Sequence, residues 1–334
     1  MISYQTSAPG APLIEVESKT PEPQGSEVLI KTIACGVCHS DIHMHEGVFD
    51  LGGGKQLEVG REGMVLGHEI FGEVIALGPD AQDAEIGDRR VVFPWIGCGE
   101  CAACKRGDEQ LCTPGCALGI AHAGGFADHV MVPHSRYLFD KGDVMDSLAA
   151  TYACSGLTAY GALKKIGKLH EGDDIVIIGA GGVGMMAIQI ARALGMDPIV
   201  VDIDDDKLEA ARALGVNRSY NSSELQTAKD IRKTTGGAYA ALDFVGAEAS
   251  VSYGLGCLRK GGMLIIVGLY GGSLTLPIPF IPMNARIIQG SYVGGLEDMA
   301  TYFLYTSGQS SGSLEIDKID EFGHYNPFFI GWAQ

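Results

Sequence analysis

The stretch that decides the fold of this 334-residue chain reads Ile175-Val176-Ile177-Ile178-Gly179-Ala180-Gly181-Gly182-Val183-Gly184. Its apolar start predicts a buried strand, and Met185–Gly195 is compatible with a helix. Between this strand and this helix, Gly179, Gly181 and Gly184 occupy the first, third and sixth positions of a hexapeptide. That spacing suits a tight turn, close approach of a ligand to the backbone, and close contact between helix and strand.

A glycine-rich turn is a weak signal when taken alone, but its context strengthens the interpretation. The next predicted strand ends in Asp202, where a carboxylate can accept hydrogen bonds from the ribose hydroxyls of an adenine dinucleotide. The pattern therefore predicts a dinucleotide site. Its predicted contacts are Gly179, Gly181, Gly182, Val183, Gly184 and Asp202.

The residues after this strand predict which dinucleotide binds. A 2′-phosphate would meet Asp202 and the acidic run Asp204–Asp206, so the sequence favours NAD over NADP. Lys207 is a further candidate for contact with the ribose, although it is equally well a solvated side chain of the following helix. The alternative for Asp202 is that it only caps the helix that begins near Asp205.

The patterns on either side of the glycine turn predict two domains. After it, apolar strands alternate with amphipathic helices such as Asp205–Leu214, which is typical of a doubly wound parallel sheet. Before it, from about residue 25, short apolar runs alternate with turns rich in glycine and proline, as in antiparallel β domains. We expect a β-rich domain over 1–150, a dinucleotide-binding domain over 151–295, and an atypical tail over 296–334. The predicted strands are Val28–Ile30, Val74–Ala76, Arg90–Phe93, Ile175–Ile178, Pro198–Asp202, Ala241–Val245, Met263–Val267 and Ile287–Gly290.

Composition narrows the class of partner. Hydrophobic residues make up 46% and charged residues 19%, a balance typical of globular proteins. A formal net charge of −17 argues against nucleic acid and anionic membranes as partners. The start, Met1–Gln5, has neither a basic nor an apolar stretch, and no apolar run reaches membrane-spanning length. We therefore expect a cytoplasmic protein with reduced cysteines.

Four cysteines lie close together at Cys98, Cys101, Cys104 and Cys112, and we call Cys98–Cys112 the four-cysteine loop. Four sulfurs in a reducing compartment suit a closed tetrahedral zinc site. One alternative is chance clustering of reduced cysteines. A second is a zinc ribbon that binds nucleic acid, but Lys105 and Arg106 provide too little positive charge.

A second set of metal-ligating residues is dispersed along the chain as Cys38, His68 and Cys154, and we call it the three-ligand cluster. Singly, each would more often be an ordinary buried cysteine or a satisfied histidine. Two thiolates and one imidazole leave an open fourth position, which is the composition of a catalytic zinc site. Beside a dinucleotide loop, the set predicts zinc-assisted redox chemistry.

These motifs together resemble the zinc-containing medium-chain dehydrogenase/reductase family over roughly residues 1–299. The matching blocks are Cys35–His43, Gly67–Glu69, Cys98–Cys112, Cys154–Tyr160 and Gly179–Gly184. Within the family the chain is most similar to the 6-hydroxyhexanoate dehydrogenase group, through Glu46–Lys55, Pro94–Gly99, Val200–Asp205 and Ile288–Gly294. The resemblance implies an α/β protein: a GroES-like catalytic domain with a zinc lobe at about 94–115, followed by a Rossmann domain.

The resemblance also implies the reaction. A zinc-bound primary alcohol, with ω-hydroxy acids included in the class, would pass a hydride to NAD and leave an aldehyde. It further implies one catalytic and one structural zinc per chain, and a homo-oligomer, either a dimer or a tetramer. The alternatives are a secondary-alcohol or polyol dehydrogenase, and an inactive relative that binds zinc and NAD.

Residue roles follow from the same resemblance. Ser40 would take the proton of the alcohol and His43 would pass it to water, with His45 as the competing candidate. Asp41 and Glu69 would support the metal site beside His68. The residues implied near the cofactor are His39, at the pyrophosphate, and Thr158, Asp243, Ser291 and Val293, around the nicotinamide. Trp95 and Phe49 would face the substrate or belong to the core.

Two segments depart from the family pattern. Arg61–Leu66, before the Gly67–Glu69 block, is shorter than the family's approach to that block. The likeness ends at Met299, and the serine-rich stretch 307–313 is typical of a linker. If the tail does not pack on the β-rich domain, apolar surface near Val28–Ile30 and Val74–Ile75 is left exposed. The alternative is that the apolar cluster from Ile316 to Phe329, within the tail, covers part of this surface. The two departures are the reason for considering an inactive relative.

Overall fold

The computed structural model describes residues 1–113, 115–223, 227–306 and 330–331. Its strands are β1 (Ile2–Gln5), β2 (Ile14–Glu17), β3 (Val28–Gly36), β4 (Val48–Gly52), β5 (Lys55–Glu58), β6 (Glu69–Leu77), β7 (Arg89–Val92), β8 (His129–Val132), β9 (Leu138–Phe139), β10 (Ile175–Ile178), β11 (Ile199–Asp202), β12 (Arg218–Asn221), β13 (Ala238–Asp243), β14 (Leu258–Ile266), β15 (Ile287–Gly290) and β16 (Ile330–Gly331). Its α-helices are α1 (His39–Glu46), α2 (Ala102–Lys105), α3 (Asp146–Thr151), α4 (Leu157–Lys164), α5 (Gly182–Ala193), α6 (Asp205–Ala213), α7 (Thr227–Thr235), α8 (Glu248–Cys257), α9 (Phe280–Asn284) and α10 (Leu296–Thr306). Short 3-10 turns cover Glu109–Leu111 and Ser135–Tyr137, and a π turn covers Tyr152–Gly156.

The chain divides into two units. The β unit contains Met1–Phe49, Leu57–Leu157 and Gly294–Gln334, and the parallel-sheet unit contains Asp50–Gln56 and Thr158–Val293. The first boundary falls close to the predicted one at residue 150. Two segments differ from the predicted ranges: the tip of the β4–β5 hairpin belongs to the parallel-sheet unit, and the described residues from Gly294 onward belong to the β unit.

The described part of the parallel-sheet unit holds one six-stranded sheet, in the order β12-β11-β10-β13-β14-β15. Every neighbouring pair is parallel, so the doubly wound fold class is confirmed. The central strands are buried along their whole length, because both faces of the sheet are covered by helices. The sequence did not reveal β12, whose residues Arg218–Asn221 are half-buried and mostly polar.

Strand order in this sheet reverses between β10 and β13. In open α/β sheets, ligands bind beyond the carboxyl ends of the strands at such a switch point. Gly179 follows β10 directly, Asp202 ends β11, and Asp243 ends β13. The topology therefore brings the predicted dinucleotide residues to one edge of the sheet.

The β unit is built on an antiparallel sheet in the order β16-β3-β6-β7-β9, with β8 also paired to β3. In the register of β3 and β6, Gly36 lies opposite Glu69. Cys38 lies just beyond the end of β3, and His68 immediately precedes β6. Antiparallel pairing therefore places these two predicted metal ligands at the same end of the sheet.

The predicted tail is partly an integral element. Helix α10 lies in the β unit, and its Tyr302 side chain is fully buried, with its ring centroid 5.1 Å from that of Tyr152. Helix α10 thus continues through residues 300–306, beyond Met299, where the family likeness ends. The serine-rich stretch 307–313 and the aromatic cluster up to Phe329 lie outside the described residues.

The apolar surface that we expected to be exposed is covered. Val28, Ile30 and Val74 have no exposed surface, and Ile75 is half-buried. The β unit therefore has a closed core at this position, and the uncovered patch that we expected for a tail that does not pack is absent here. In the described ranges, no helix is long and apolar enough to cross a bilayer.

Candidate catalytic metal centre and cofactor site

The three-ligand cluster comes together within the β unit. One ligand atom from each of Cys38, His68 and Cys154 lies within 4.8 Å of the others. The two sulfurs are 3.9 Å apart, and tetrahedral coordination with Zn–S bonds of about 2.3 Å places sulfurs about 3.8 Å apart. Nε2 of His68 is buried and lacks a hydrogen-bond partner in the part of the chain that the structure describes. The donor set and this orphaned nitrogen fit a zinc ion.

A buried carboxylate, that of Asp41, organises this cluster. Its Oδ1 lies 3.1 Å from Nδ1 of His68 and accepts a hydrogen bond of 3.1 Å from the backbone N–H of Gly67. Its Oδ2 accepts from the backbone N–H of Cys38 at 2.9 Å. Because Asp41 accepts the Nδ1 proton, the lone pair of His68 is on Nε2, where a metal can use it. The prediction that Asp41 supports the metal ligand is consistent with this geometry.

The two cysteines of the cluster differ in acidity. A hydrogen bond from the Cys154 thiol lowers the pKa of Cys38 well below its usual value, and the same bond raises the pKa of Cys154 well above it. Cys38 is therefore the more acidic of the two thiols. A second thiolate at this buried position requires a cation to offset its charge.

Cys154 is held by an unusual helical segment. It lies in the π turn between α3 and α4, and such turns are frequent at functional sites. The next residue, Ser155, donates from both its backbone N–H and its hydroxyl to Oε1 of Glu69, each at 3.1 Å. The sequence did not single out Ser155, although its position beside a predicted ligand was a usable signal.

Glu69 lies outside the three-ligand cluster, and its role in supporting the metal site stays a prediction. It is buried, and burial raises its pKa to about 8. A Cβ at Gly36 would lie 2.0 Å from its Oε2, so only glycine fits opposite this carboxylate. Glu69 therefore connects the strand after His68 to the turn that carries Cys154, and does so through Ser155.

The proposed proton-relay residues lie on α1, immediately after Cys38. Ser40 is half-buried in the first turn of this helix. The His43 ring lies 4.5 Å from Phe49 and 4.7 Å from the exposed His39, and its Nε2 is buried without a hydrogen-bond partner within the described ranges. Burial lowers the pKa of His43. The competitor, His45, already bonds the carbonyl oxygen of Ala11 through Nε2 at 2.6 Å.

Trp95 belongs to the core around the cluster. It is 4% exposed, its ring lies 5.3 Å from that of His68, and its Nε1 donates to the carbonyl of Ala153 at 3.0 Å. Of the two alternatives for this residue, the core interpretation agrees with the structure. Its ring shields one side of the His68 imidazole.

The four-cysteine loop brings its sulfurs together in the same unit. The Cys101 sulfur lies 3.4 Å from that of Cys104 and 3.9 Å from that of Cys112, and 4.0 Å separates Cys98 from Cys104. A hydrogen bond from the backbone of Cys104 lowers the pKa of Cys101 to about 6. Four sulfurs at these separations, with an acidic thiol among them, fit a tetrahedral metal.

The glycine-rich loop of the parallel-sheet unit needs glycine for specific reasons. Gly179 has a φ of +89°, and a Cβ there would lie 2.7 Å from Val245 Cγ2. A Cβ at Gly184 would lie 1.8 Å from the carbonyl oxygen of Gly179. At Gly181, which caps α5, and at Gly182, an added Cβ meets no atom within 4 Å. The loop is therefore tight where it turns and open at the helix N-terminus, where a phosphate would bind.

Asp202 supports this loop. Its Oδ2 accepts from the backbone N–H of Ala180 at 2.6 Å, and its Oδ1 accepts from Asp204 at 3.0 Å. The N-cap of α6 is Asp204, which accepts from the backbone of Asp206 at 3.0 Å, so the alternative that Asp202 is that cap was wrong. Lys207 lies 3.8 Å from the Asp204 carboxylate, on the solvated side of the helix.

Asp243 differs from its predicted role. It has no exposed surface, and its carboxylate accepts from the backbones of Val245 and Gly246 at 2.9 and 3.2 Å and from the Ser250 hydroxyl at 2.8 Å. Its side chain therefore shapes the loop after β13, and none of its surface is available to line a nicotinamide pocket. Burial raises its pKa.

The remaining predicted cofactor residues are positioned as follows. Ser291 is buried beyond β15 and donates its backbone N–H to Ile266 at 2.8 Å. Val293 is buried, with a φ of +48°, and Thr158 is half-buried on α4. That Ser291, Val293 and Thr158 surround the nicotinamide, and that His39 lies near the pyrophosphate, stay predictions.

Comparison with known proteins places these sites in a family. Residues 24–143 match the model of the alcohol dehydrogenase GroES-like domain, and residues 182–305 match that of zinc-binding dehydrogenases. An NAD-dependent alcohol dehydrogenase of Sulfurisphaera tokodaii is 40% identical over 300 residues, which cover 86% of this chain and 84% of the relative. An alcohol dehydrogenase of Geobacillus stearothermophilus is 33% identical, over 85% of this chain and 81% of the relative.

Solved structures agree with this assignment. The crystal structure of the alcohol dehydrogenase from Aeropyrum pernix superposes with a TM-score of 0.79 at 28% identity, over 90% of this chain and 88% of that chain. The matches to the two domain models fall mainly on the β unit and on the parallel-sheet unit, respectively. The chain belongs to the zinc-dependent alcohol dehydrogenases of the medium-chain dehydrogenase/reductase family.

Proposed function

We propose that this NAD-dependent alcohol dehydrogenase oxidises primary alcohols, ω-hydroxy acids among them, to aldehydes. The catalytic zinc would be held by Cys38, His68 and Cys154, and the structural zinc by the four-cysteine loop. The observation that most supports the catalytic assignment is the buried, unpartnered Nε2 of His68 beside a sulfur pair 3.9 Å apart. A buried polar nitrogen without a partner is costly, and a metal ion removes that cost.

The chain's own residues would provide orientation and a proton route. When bound, zinc supplies Lewis acidity toward the substrate hydroxyl, and NAD supplies the hydride acceptor. Asp41 holds His68 in one tautomer throughout. Ser40 takes the hydroxyl proton and His43 passes it to solvent. Because burial lowers the pKa of His43, its ring is neutral and able to accept a proton at neutral pH.

For the cofactor, we propose that the pyrophosphate binds at the N-terminus of α5 and the adenosine ribose binds at Asp202. Open space at Gly181 and Gly182 supports the first placement. Asp202 is 7% exposed, and its carboxylate has lone pairs left beyond its two backbone hydrogen bonds. The carboxylates of Asp204–Asp206 add negative charge at the start of α6, which supports selection against a 2′-phosphate.

The proposal for the substrate rests on a smaller segment. Glu46–Lys55, which carries the likeness to 6-hydroxyhexanoate dehydrogenases, includes β4 and the tip of the hairpin. In the parallel-sheet unit this tip packs tightly: a Cβ at Gly52 would lie 2.1 Å from the carbonyl oxygen of Gly272. Secondary alcohols and polyols are the second candidate class, because none of the described site residues distinguishes a primary from a secondary carbon at the hydroxyl.

The first prediction concerns zinc content. The Cys154→Ser variant should retain one of two zinc ions, because only the three-ligand cluster is broken, and Cys98→Ser should lose the other ion. Cys116→Ser, which changes a cysteine outside both sets, is the matched control and should retain both. Elemental analysis of the purified variants gives the stoichiometry. If Cys154→Ser keeps both ions, the catalytic assignment is incorrect.

The second prediction concerns the proton route. Ser40→Ala should lower kcat by about 100-fold or more, the usual scale for loss of a general acid–base group, with little change in NAD affinity. His43→Gln should cause a smaller loss and remove the acid limb of the kcat profile, which the lowered pKa of His43 shifts toward lower pH. His45→Gln is the control and should keep that limb. A Ser40→Ala enzyme with wild-type turnover would rule the route out.

The third prediction concerns the substrate class. Steady-state oxidation with NAD should give a higher kcat/KM for 1-hexanol and 6-hydroxyhexanoate than for 2-hexanol and sorbitol. A primary alcohol presents one fewer substituent at the reacting carbon, and the segment Glu46–Lys55 resembles that of dehydrogenases named for a six-carbon ω-hydroxy acid. Preference for 2-hexanol or sorbitol would move the enzyme to the second class and leave the metal and NAD assignments intact.

A further inference from the structure

Glu109 is a buried carboxylate that belongs to neither proposed zinc site nor the cofactor loop. It is 5% exposed and begins the 3-10 turn Glu109–Leu111, which ends directly at Cys112. It therefore lies inside the four-cysteine loop without being one of its ligands. A buried carboxylate is costly unless hydrogen bonds compensate it, so its partners indicate what it holds in place.

Its partners join the two ends of the loop. Oε2 accepts from the backbone N–H of Gly97 at 3.1 Å, and Gly97 immediately precedes Cys98. A Cβ at Gly97 would lie 2.4 Å from the Cys104 sulfur and 3.1 Å from Glu109 Cβ, so the three residues are in close contact. Glu109 lies three residues before Cys112, the last cysteine, and holds Gly97, the residue before the first cysteine.

The same carboxylate attaches the loop to the core of the β unit. The hydroxyl of Tyr137 donates to Oε2 at 2.6 Å, and the Arg136 guanidinium lies 3.1 Å from Oε1 and 4.6 Å from the Tyr137 ring centroid. Tyr137 is 2% exposed and stacks on Phe93 at 6.1 Å between ring centroids. Burial, and then the hydrogen bond to Glu109, raise the pKa of Tyr137, so its hydroxyl remains a donor.

We propose that Glu109 is a positioning residue that closes the four-cysteine loop and anchors it to Tyr137, so that the sulfurs are held together independently of the metal. A preorganised ligand set binds its ion more tightly and releases it more slowly. Without Glu109, the N–H of Gly97 and the hydroxyl of Tyr137 lose their common acceptor, and the ends of the loop separate more easily. This inference rests on the proposal that the four cysteines hold the second zinc.

The test measures how fast zinc leaves the four-cysteine loop. The full chain with Cys154→Ser provides the background, so that only this zinc remains, and a chromogenic chelator reports its release. Adding Glu109→Ala should accelerate release by about tenfold or more, which corresponds to about 1.4 kcal/mol, because the Gly97 N–H and the Tyr137 hydroxyl are left without their buried acceptor. Glu109→Gln keeps an acceptor but loses its charge, so its rate should fall between those of the parent and Glu109→Ala.

Asp108→Ala is the matched control, since this neighbouring carboxylate is 43% exposed and pairs with Arg106 at 3.4 Å. It should release zinc at the parent rate, and unchanged NAD binding should show that each variant keeps its parallel-sheet unit. Parent-like release from Glu109→Ala would overturn the inference, as would equal acceleration by Asp108→Ala. If Glu109→Ala does not fold, a parent-like rate for Glu109→Gln overturns it and a faster rate supports it. If the Cys154→Ser parent holds no zinc, the failure lies in the proposed function.

Discussion

The buried carboxylate of Asp41 is the interaction on which the proposed catalytic centre depends. It receives the backbone N–H groups of Cys38 and Gly67 and contacts Nδ1 of His68, all within 3.1 Å. One side chain thus fixes the segment that carries Cys38 and the segment that carries His68, and it also sets the tautomer of His68. The third ligand, Cys154, is positioned separately: the π turn sets its direction, and Ser155 ties that turn to Glu69. The positions of the three proposed ligands are therefore set by groups outside the three-ligand cluster.

Both sites lie at the ends of strands, but the two sheets bring those ends together in different ways. In the β unit, the antiparallel register of β3 and β6 brings together residues that are far apart in sequence. In the parallel-sheet unit, β10, β11 and β13 all end at one edge, where their loops leave a helix N-terminus open. The acidic chain, with a net charge of −17, gives a dinucleotide no general attraction. We therefore expect local groups, namely the helix N-terminus and backbone amides, to bind an anionic cofactor.

The features that could be predicted from the sequence are those with a local signal. The G-x-G-x-x-G turn, the central strands and the four-cysteine spacing are each readable within a short window, and the parallel sheet follows from them. Strand β12 was missed because Arg218–Asn221 shows no apolar run. Asp243 was placed in a pocket by the family resemblance, which says nothing about the burial of its side chain in this chain. Glu109 was missed because its partners, Gly97 and Tyr137, are 12 and 28 residues away and meet it only in the folded chain. Helix α10 was missed because the family resemblance ended at its fourth residue.

The central claim, that Asp41 organises a three-ligand zinc site, is tested most directly by the zinc affinity of Asp41→Ala. Competition with a chelator of known affinity, on the intact protein, separates the two zinc ions by their binding constants. The account predicts that affinity at the three-ligand cluster falls by about 10–100-fold, the usual cost of losing a carboxylate that orients a metal-bound histidine, while the four-cysteine zinc is unaffected. Unchanged affinity at the cluster, or equal weakening at both sites, would contradict it.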